Sequence, residues 1–199
     1  MIVRFHNHNL RVRIQYMKIV IASPFYPPDT EDMAVYTKEL AERLALKHDV
    51  TVATYSRLPE KTNNVKIFSI NKRLPLFFRL FAFTIVLFRT VRKADILYVE
   101  NGASVELPAG IVTLILHQLS FLHIGDKRAD SRASRETLFK LIRRFVKKRI
   151  IAEITDIPLS CPEILPFDVP PLREQSEYQA SWDKHIKRLE EMFNHATKQ

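Results

Sequence analysis

The sequence predicts a doubly wound, Rossmann-like, mostly parallel α/β sheet with helices on both faces, formed by one domain and a C-terminal helix. Three observations carry this. Short runs such as Lys18 to Ala22 (KIVIA), Val50 to Thr54 (VTVAT) and Ile96 to Val99 (ILYV) are apolar at nearly every position, as strands buried on both faces are. Helical stripes separate them with short connections, and strand–helix alternation of this kind selects a parallel sheet with crossovers. The 199 residues, 46% hydrophobic and 27% charged, suffice for one core and fall short of two full α/β domains.

Residues 1–16 read as an N-terminal extension. They are basic but show no apolar h-region or small-residue cleavage site, so no secretory signal is expected. The domain is expected over 17–165. Its first strand ends at Ser23, and the Pro27-Pro28 pair marks the loop that follows. From Met33 to Lys47, Val35, Leu40, Leu44 and Leu46, with Tyr36 and Ala41, give a helical stripe. Val50 to Thr54 and Val65 to Ile70 are the second and third strands. A long apolar helix is predicted from Pro75 to Lys93, with Arg79, Thr90 and Lys93 as a narrow polar stripe. Asp95 leads into the strand Ile96 to Val99. The apolar run 107–122 is divided by Pro108, Gly110 and His117, which predicts a helix (Ser104 to Leu116), a turn and a strand (Ser120 to Ile124).

A basic helix follows from Arg135 to Arg149. Leu138, Leu141, Ile142, Phe145 and Val146 are its expected inner set, and Lys140, Arg143, Arg144, Lys147, Lys148 and Arg149 its outer face. A last strand is expected near Ile154 to Leu159, then a linker over 166–175 and a helix over 176–199. In that helix Trp182, Ile186, Leu189 and Phe193 fall on one stripe. Burying each large side chain contributes about 1.5–3 kcal/mol before entropy, so the helix should dock onto the sheet.

In such a sheet, ligands bind outside the carboxyl ends of the strands. The loops to watch are therefore Ser23 to Asp32, Tyr55 to Asn64, Glu100 to Ala103 and Gly125 to Asp130. A dinucleotide site would need G-x-G-x-x-G after the first strand; the residues there are SPFYPPDTED, and the chain holds only three glycines. That argues against both dinucleotide and P-loop chemistry. The single cysteine, Cys161, forms no disulfide framework, fits a reducing compartment and reads as a small apolar residue. The histidines do not cluster, so no metal is expected. No pair of carboxylates is marked out for hydrolysis, so a glycosidase is not supported.

The net charge of +9 and pI near 9.7 favour an anionic partner: a phospholipid surface, a phosphorylated sugar or a nucleic acid. No stacking platform or helix-turn-helix pattern accompanies the charge, which disfavours nucleic acid. In the phenylalanine-rich helix the uncharged core, Leu80 to Phe88, is far short of the roughly 20 residues a span requires. Two readings stay open for it. It packs as an ordinary layer helix, or it lies at an interface with Phe77 and Phe81 at the acyl boundary and Arg79, Lys140, Arg144 and Lys147 toward lipid phosphates.

The runs KIVIASPFYPP and AVYTKELAERLALKHDVTVATY resemble the opening of family 4-like GT-B glycosyltransferases. RKADILYVENG resembles that family's fourth strand and loop, and FLHIGD its next strand. IIAEITDIPLSCPEIL is similar to the strand and Ser-x-Pro-Glu turn that close the family's N-terminal domain, and ASWDKHIKRLEEMF resembles the start of its terminal crossover helix. The resemblance covers Met17 to Leu165 and Ser176 to Asn194.

It implies an acceptor-side domain with the crossover helix retained and the nucleotide-sugar domain lost between Pro166 and Ser176. The implied substrate-binding residues are Tyr26, Glu100, Asn101, Gly102, Gly125 and Asp126, with Asp126 and His123 as catalytic candidates. No cofactor is implied, and a nucleotide sugar enters only if a donor-domain subunit or a second copy completes the cleft. Two kinds of acceptor stay open, free and lipid-linked; the implied setting is polysaccharide biosynthesis, and the implied location cytoplasmic, either free or peripheral at the inner face of the plasma membrane.

Two departures bear on activity. Where the family carries a Gly-Gly pair after the prolines, this chain has Asp29-Thr30-Glu31-Asp32-Met33, whose carboxylates would repel a diphosphate. The family's E-x7-E element also has no counterpart, since Glu153 and Glu163 lack that spacing. Alone, the chain should be inactive. The other readings are a catalytically inactive binding or scaffold protein on a membrane or protein partner, and a gene remnant that folds.

Overall fold

The computed structural model describes residues 16–56, 58–155, 158 and 172–198. The extension over 1–15, Cys161, Glu163 and the linker up to Pro171 lie outside the described residues. Six strands, β1 (Lys18–Ser23), β2 (Asp49–Tyr55), β3 (Val65–Ile70), β4 (Ile96–Glu100), β5 (Ser120–His123) and β6 (Ala152–Ile154), form one sheet in the order β3-β2-β1-β4-β5-β6. Every pairing is parallel. The helices are α1 (Asp32–Ala45), α2 (Leu76–Val91), α3 (Ala103–Leu116), α4 (Lys127–Arg135), α5 (Thr137–Lys147) and α6 (Leu172–Ala196). This is the doubly wound architecture that the strand–helix alternation predicts, and its strand order reverses between β1 and β4.

Alternate residues of each strand feed two cores. Ile19 and Ile21 of β1 join Tyr98, Phe121 and Ile154 beneath α1 and α6. Val20 and Ala22 join Ala53, Leu97, Val99 and Leu122 beneath α2, α3 and α5. On the first face Trp182, Ile186, Leu189 and Phe193 are buried, so the α6 stripe docks as its spacing requires. His185, Glu190 and Asn194 go in with them. Glu190 is held by Lys47, at 3.0 Å, and lies 3.5 Å from the His48 imidazole. Burial nonetheless holds His48 below the ordinary histidine range, outweighing the Glu190 carboxylate.

The basic stretch departs from the periodicity reading. It forms two helices, because α4 begins at Lys127, inside what reads as a loop from Gly125 to Asp130. Within α5 the expected sides are partly exchanged: Leu138 and Leu141 are 65% and 58% exposed, whereas Arg143 is buried. The reason is a buried partner. Arg143 donates Nε and Nη2 to Glu106 of α3, at 2.7 and 2.8 Å, and Nη1 to Asp130 of α4. Arg149 also turns inward, its guanidinium 3.8 Å from the centroid of the Phe145 ring. Close approach of α3 and α5 depends on Gly110, where a Cβ would come within 2.6 Å of Phe145. Among the described residues the last strand is Ala152–Ile154, which meets the expected Ile154 to Leu159 at Ile154; positions 156, 157 and 159 of that expectation lie outside the described residues, and α6 starts four residues before Ser176.

Candidate functional site

The strand order reverses between β1 and β4, and at their carboxyl ends the crevice is filled. Ser23 ends β1, Glu100 ends β4, and Thr37 reaches in from α1; all three are 0% exposed. The Glu100 carboxyl contacts Ser23 Oγ through Oε2 at 2.5 Å and Thr37 Oγ1 through Oε1 at 2.7 Å. Ser23 Oγ also lies 2.6 Å from the carbonyl of Phe25, and Thr37 Oγ1 2.6 Å from that of Met33. Two hydroxyl protons cannot serve two carbonyls and both carboxylate oxygens at once, and a proton on Glu100 would supply a third donor. Burial pushes this carboxyl up to about 8, against the pull of its two hydroxyl partners. The position where related sheets admit a ligand is thus a sealed polar plug.

The open space lies to one side, between α1, the β5–α4 turn and α6. It is a cleft of about 800 Å³ lined by Phe25, Glu31, Asp32, Tyr36, Glu39, Gly125, Asp126, Lys127, Arg128, Tyr178 and Trp182, among others. The α6 rings reach it because the Trp182 stripe docks there: Trp182 stacks 5.5 Å from Tyr36, and the Arg43 guanidinium lies 5.2 Å from its centroid. Glu31 and Asp32 are exposed at the start of α1, while Glu39 is tied to Arg43 at 2.7 Å. Lys127 and Arg128 stand exposed at the start of α4.

Helix N-termini ordinarily attract phosphate, but that of α4 is already capped and that of α1 is flanked by acidic side chains. Asp126 Oδ1 accepts the amides of Arg128 and Ala129, at 2.7 and 3.2 Å. The first turn of α1 carries its own carboxylates. The cleft therefore offers ring edges, carboxylates and two cations, a set that suits a hydroxyl-rich ligand better than a diphosphate.

Only Gly125 and Asp126 among the sequence-derived site residues line this cleft. Gly125 is required by close approach, since a Cβ there would come within 2.7 Å of both His123 and Met33. The others lie beneath it. Tyr26 is a core residue whose hydroxyl contacts Thr62 Oγ1 at 2.6 Å, and burial raises its pKa. Glu100 is in the plug. Asn101 bonds the backbone of Asp126 reciprocally, at 2.7 and 2.8 Å, which joins the β4 and β5 loops and leaves its amide no role toward a ligand. Gly102 donates its amide to Glu106 Oε1 and starts α3. His123 is 0% exposed, stacked 4.7 Å from Tyr36 and 5.7 Å from Tyr98.

Sequence reasoning marked the loops that hold Phe25, Lys127 and Arg128 without singling those residues out, and it missed Glu39 and Tyr178, whose signal needs α6 to be known to lie beside α1. Of the proposed lipid contacts, Phe77, Phe81, Lys140, Arg144 and Lys147 are exposed. Arg79 turns inward, donating to the Lys72 carbonyl with its guanidinium over Tyr55.

No family model matches the sequence, and no curated protein matches it. Solved structures do. A UDP-N-acetylglucosamine 2-epimerase structure from Listeria monocytogenes is 11% identical, with a TM-score of 0.50, over 70% of this chain and 38% of that one. HepE from Anabaena, in complex with UDP and glucose, is 14% identical, with a TM-score of 0.42, over 81% of this chain and 50% of that one. The C-terminal domain of the coenzyme A biosynthesis protein CoaBC is 11% identical, with a TM-score of 0.47, over 89% and 96%. The chain spans 38% of the first of these and half of the second. At such identities the likeness is one of fold, a Rossmann-like α/β sheet.

Proposed function

We propose that this domain is the acceptor-binding half of a glycosyltransferase of the GT-B, family 4-like kind, its cleft taking a sugar-bearing acceptor. The observation that carries this is the cleft beside the plugged switch point, with aromatic edges and carboxylates on its walls, the α4 N-terminus capped by Asp126 and the α1 N-terminus flanked by Glu31 and Asp32. Hydroxyl-rich ligands gain from ring faces and carboxylate acceptors, whereas a nucleotide diphosphate, though Lys127 and Arg128 are at hand, would meet the Glu31 and Asp32 carboxylates and a capped α4 N-terminus. Transfer then requires a second wall, from a separate donor-binding subunit or another copy of the chain, to stabilise the leaving diphosphate.

Calorimetric titration of the purified chain with neutral oligosaccharides and with UDP-glucose tests this. Saturable heat with an oligosaccharide, none with UDP-glucose, and no sugar transfer by the chain alone are expected. Tight UDP-glucose binding or robust transfer by the chain alone would overturn it.

A binding module that never takes part in transfer is the second reading. It is favoured by one observation: Glu100 and His123, the ionisable groups nearest the sheet's carboxyl end, are both sealed from the cleft. Sugar transfer on addition of a co-purifying donor-binding protein separates the two.

A further inference from the structure

Three helices cover one face of the sheet, and each exposes large apolar side chains. On α2, Phe77, Phe78 and Phe81 are 78%, 64% and 62% exposed. Phe77, Phe81 and Ile85 stand four residues apart, on one stripe of the helix, and Arg89 and Arg92 extend the same sector toward its C-terminus. Beside α2, α3 contributes the exposed Leu114 and Ile115; its one charged residue, Glu106, is buried against Arg143. On the far side of α3, α5 presents Leu138 and Leu141 between Lys140 and Arg144.

The charge around this surface has one sign along α2. From Asn71 to Ala94 there is no acidic residue, while Arg73, Arg89, Arg92 and Lys93 are exposed. A second copy would bring those cations against their own kind, in a chain already at +9. An anionic bilayer surface complements both features, with phenyl rings at the acyl boundary and guanidinium groups at the phosphates. No helix among the described residues is long and apolar enough to cross a membrane, so a helix with this pattern lies on the bilayer.

We propose that the α2 face docks this domain on an anionic membrane surface, with Phe77, Phe78 and Phe81 inserted and Arg89 and Arg92 on lipid phosphates. The α2 N-terminus follows the carboxyl end of β3, so the inserted rings lie toward the end of the sheet where the cleft opens. The inference does not rest on what the cleft binds.

Flotation with vesicles of equal parts phosphatidylglycerol and phosphatidylcholine, and with phosphatidylcholine alone, is the test. The protein should float with the mixed vesicles, less so at high salt, and stay unbound with phosphatidylcholine. Phe77→Ser with Phe81→Ser should weaken binding by about tenfold or more, with the circular dichroism and melting temperature unchanged. Arg89→Glu with Arg92→Glu should abolish the preference for anionic lipid. Folded wild type that leaves mixed vesicles unbound would overturn the proposal, as would binding indifferent to the phenylalanine pair. A wild-type dimer that the same pair converts to monomer, without vesicle binding, would assign the face to a second copy instead. Oligosaccharide titration of the Phe77/Phe81 variant reports on the cleft separately, so failure of one reading is distinguishable from failure of the other.

Discussion

The two faces of the sheet are covered by helices of opposite character. Over one, α6 turns Trp182, Ile186, Leu189 and Phe193 inward and leaves Asp183, Lys184, Lys187 and Arg188 to solvent. Over the other, α2 buries Phe83, Leu87 and Val91 yet keeps three further phenylalanines outside, and α5 buries an arginine while exposing two leucines. Both faces have closed cores. The surplus apolar surface on the second face therefore goes unused in folding, and burial depends on the partner a residue meets as much as on its own polarity. The same residue type should accordingly carry very different weight on the two faces.

Phe193→Ala, on the buried side of α6, should cost about 4 kcal/mol in a urea titration, because it removes a ring that touches Phe121 and Tyr98. A loss below about 1 kcal/mol would mean that α6 is not docked as described. Arg143→Met should cost about 3 kcal/mol, since it leaves the Glu106 carboxylate buried without its cation. Adding Glu106→Gln should recover part of that loss; no recovery would mean that the pair is not coupled.

Glu100 supplies an effect with a sign, spread over a pH window. Its carboxyl is raised from 4.5 to about 8 in the fold. Between those values the unfolded chain has released the proton that the folded chain keeps, so stability falls as pH rises through the window and levels off above it. The slope from this group is about 1 kcal/mol per pH unit, and Glu100→Gln should remove it. An unchanged pH profile in that variant would show that Glu100 is ionised in the fold. Smallest of all, Phe77→Ser should shift stability by no more than about 0.5 kcal/mol, against the large cost at Phe193. A large loss there would mean that the α2 face is covered within the chain.

The sheet was legible because strands buried on both faces read as continuous apolar runs, and the bounds of β3 follow from VKIFSI directly. The Trp182 stripe announced the docking of α6 in the same way. What periodicity could not supply was pairing. Arg143 looks like one more surface cation until Glu106, 37 residues earlier in the chain, comes to lie beside it. The site was legible at the level of loops and not of side chains. Glu100 and Asn101 do stand at a strand's carboxyl end, but one pairs with hydroxyls from β1 and α1 and the other with the β5 loop, and both are thereby closed to a ligand. Asp126 lines the cleft, and part of its carboxylate is committed to capping α4.

The most direct measurement uses a feature of composition: Trp182 is the sole tryptophan of the chain, and it lines the cleft. Its fluorescence, followed during titration with neutral oligosaccharides and then with UDP, reports occupancy of that cleft. A saturable change with an oligosaccharide and none with UDP is the predicted result. Saturation by UDP, with every oligosaccharide silent, would contradict an acceptor-side cleft and turn the site back toward the nucleotide.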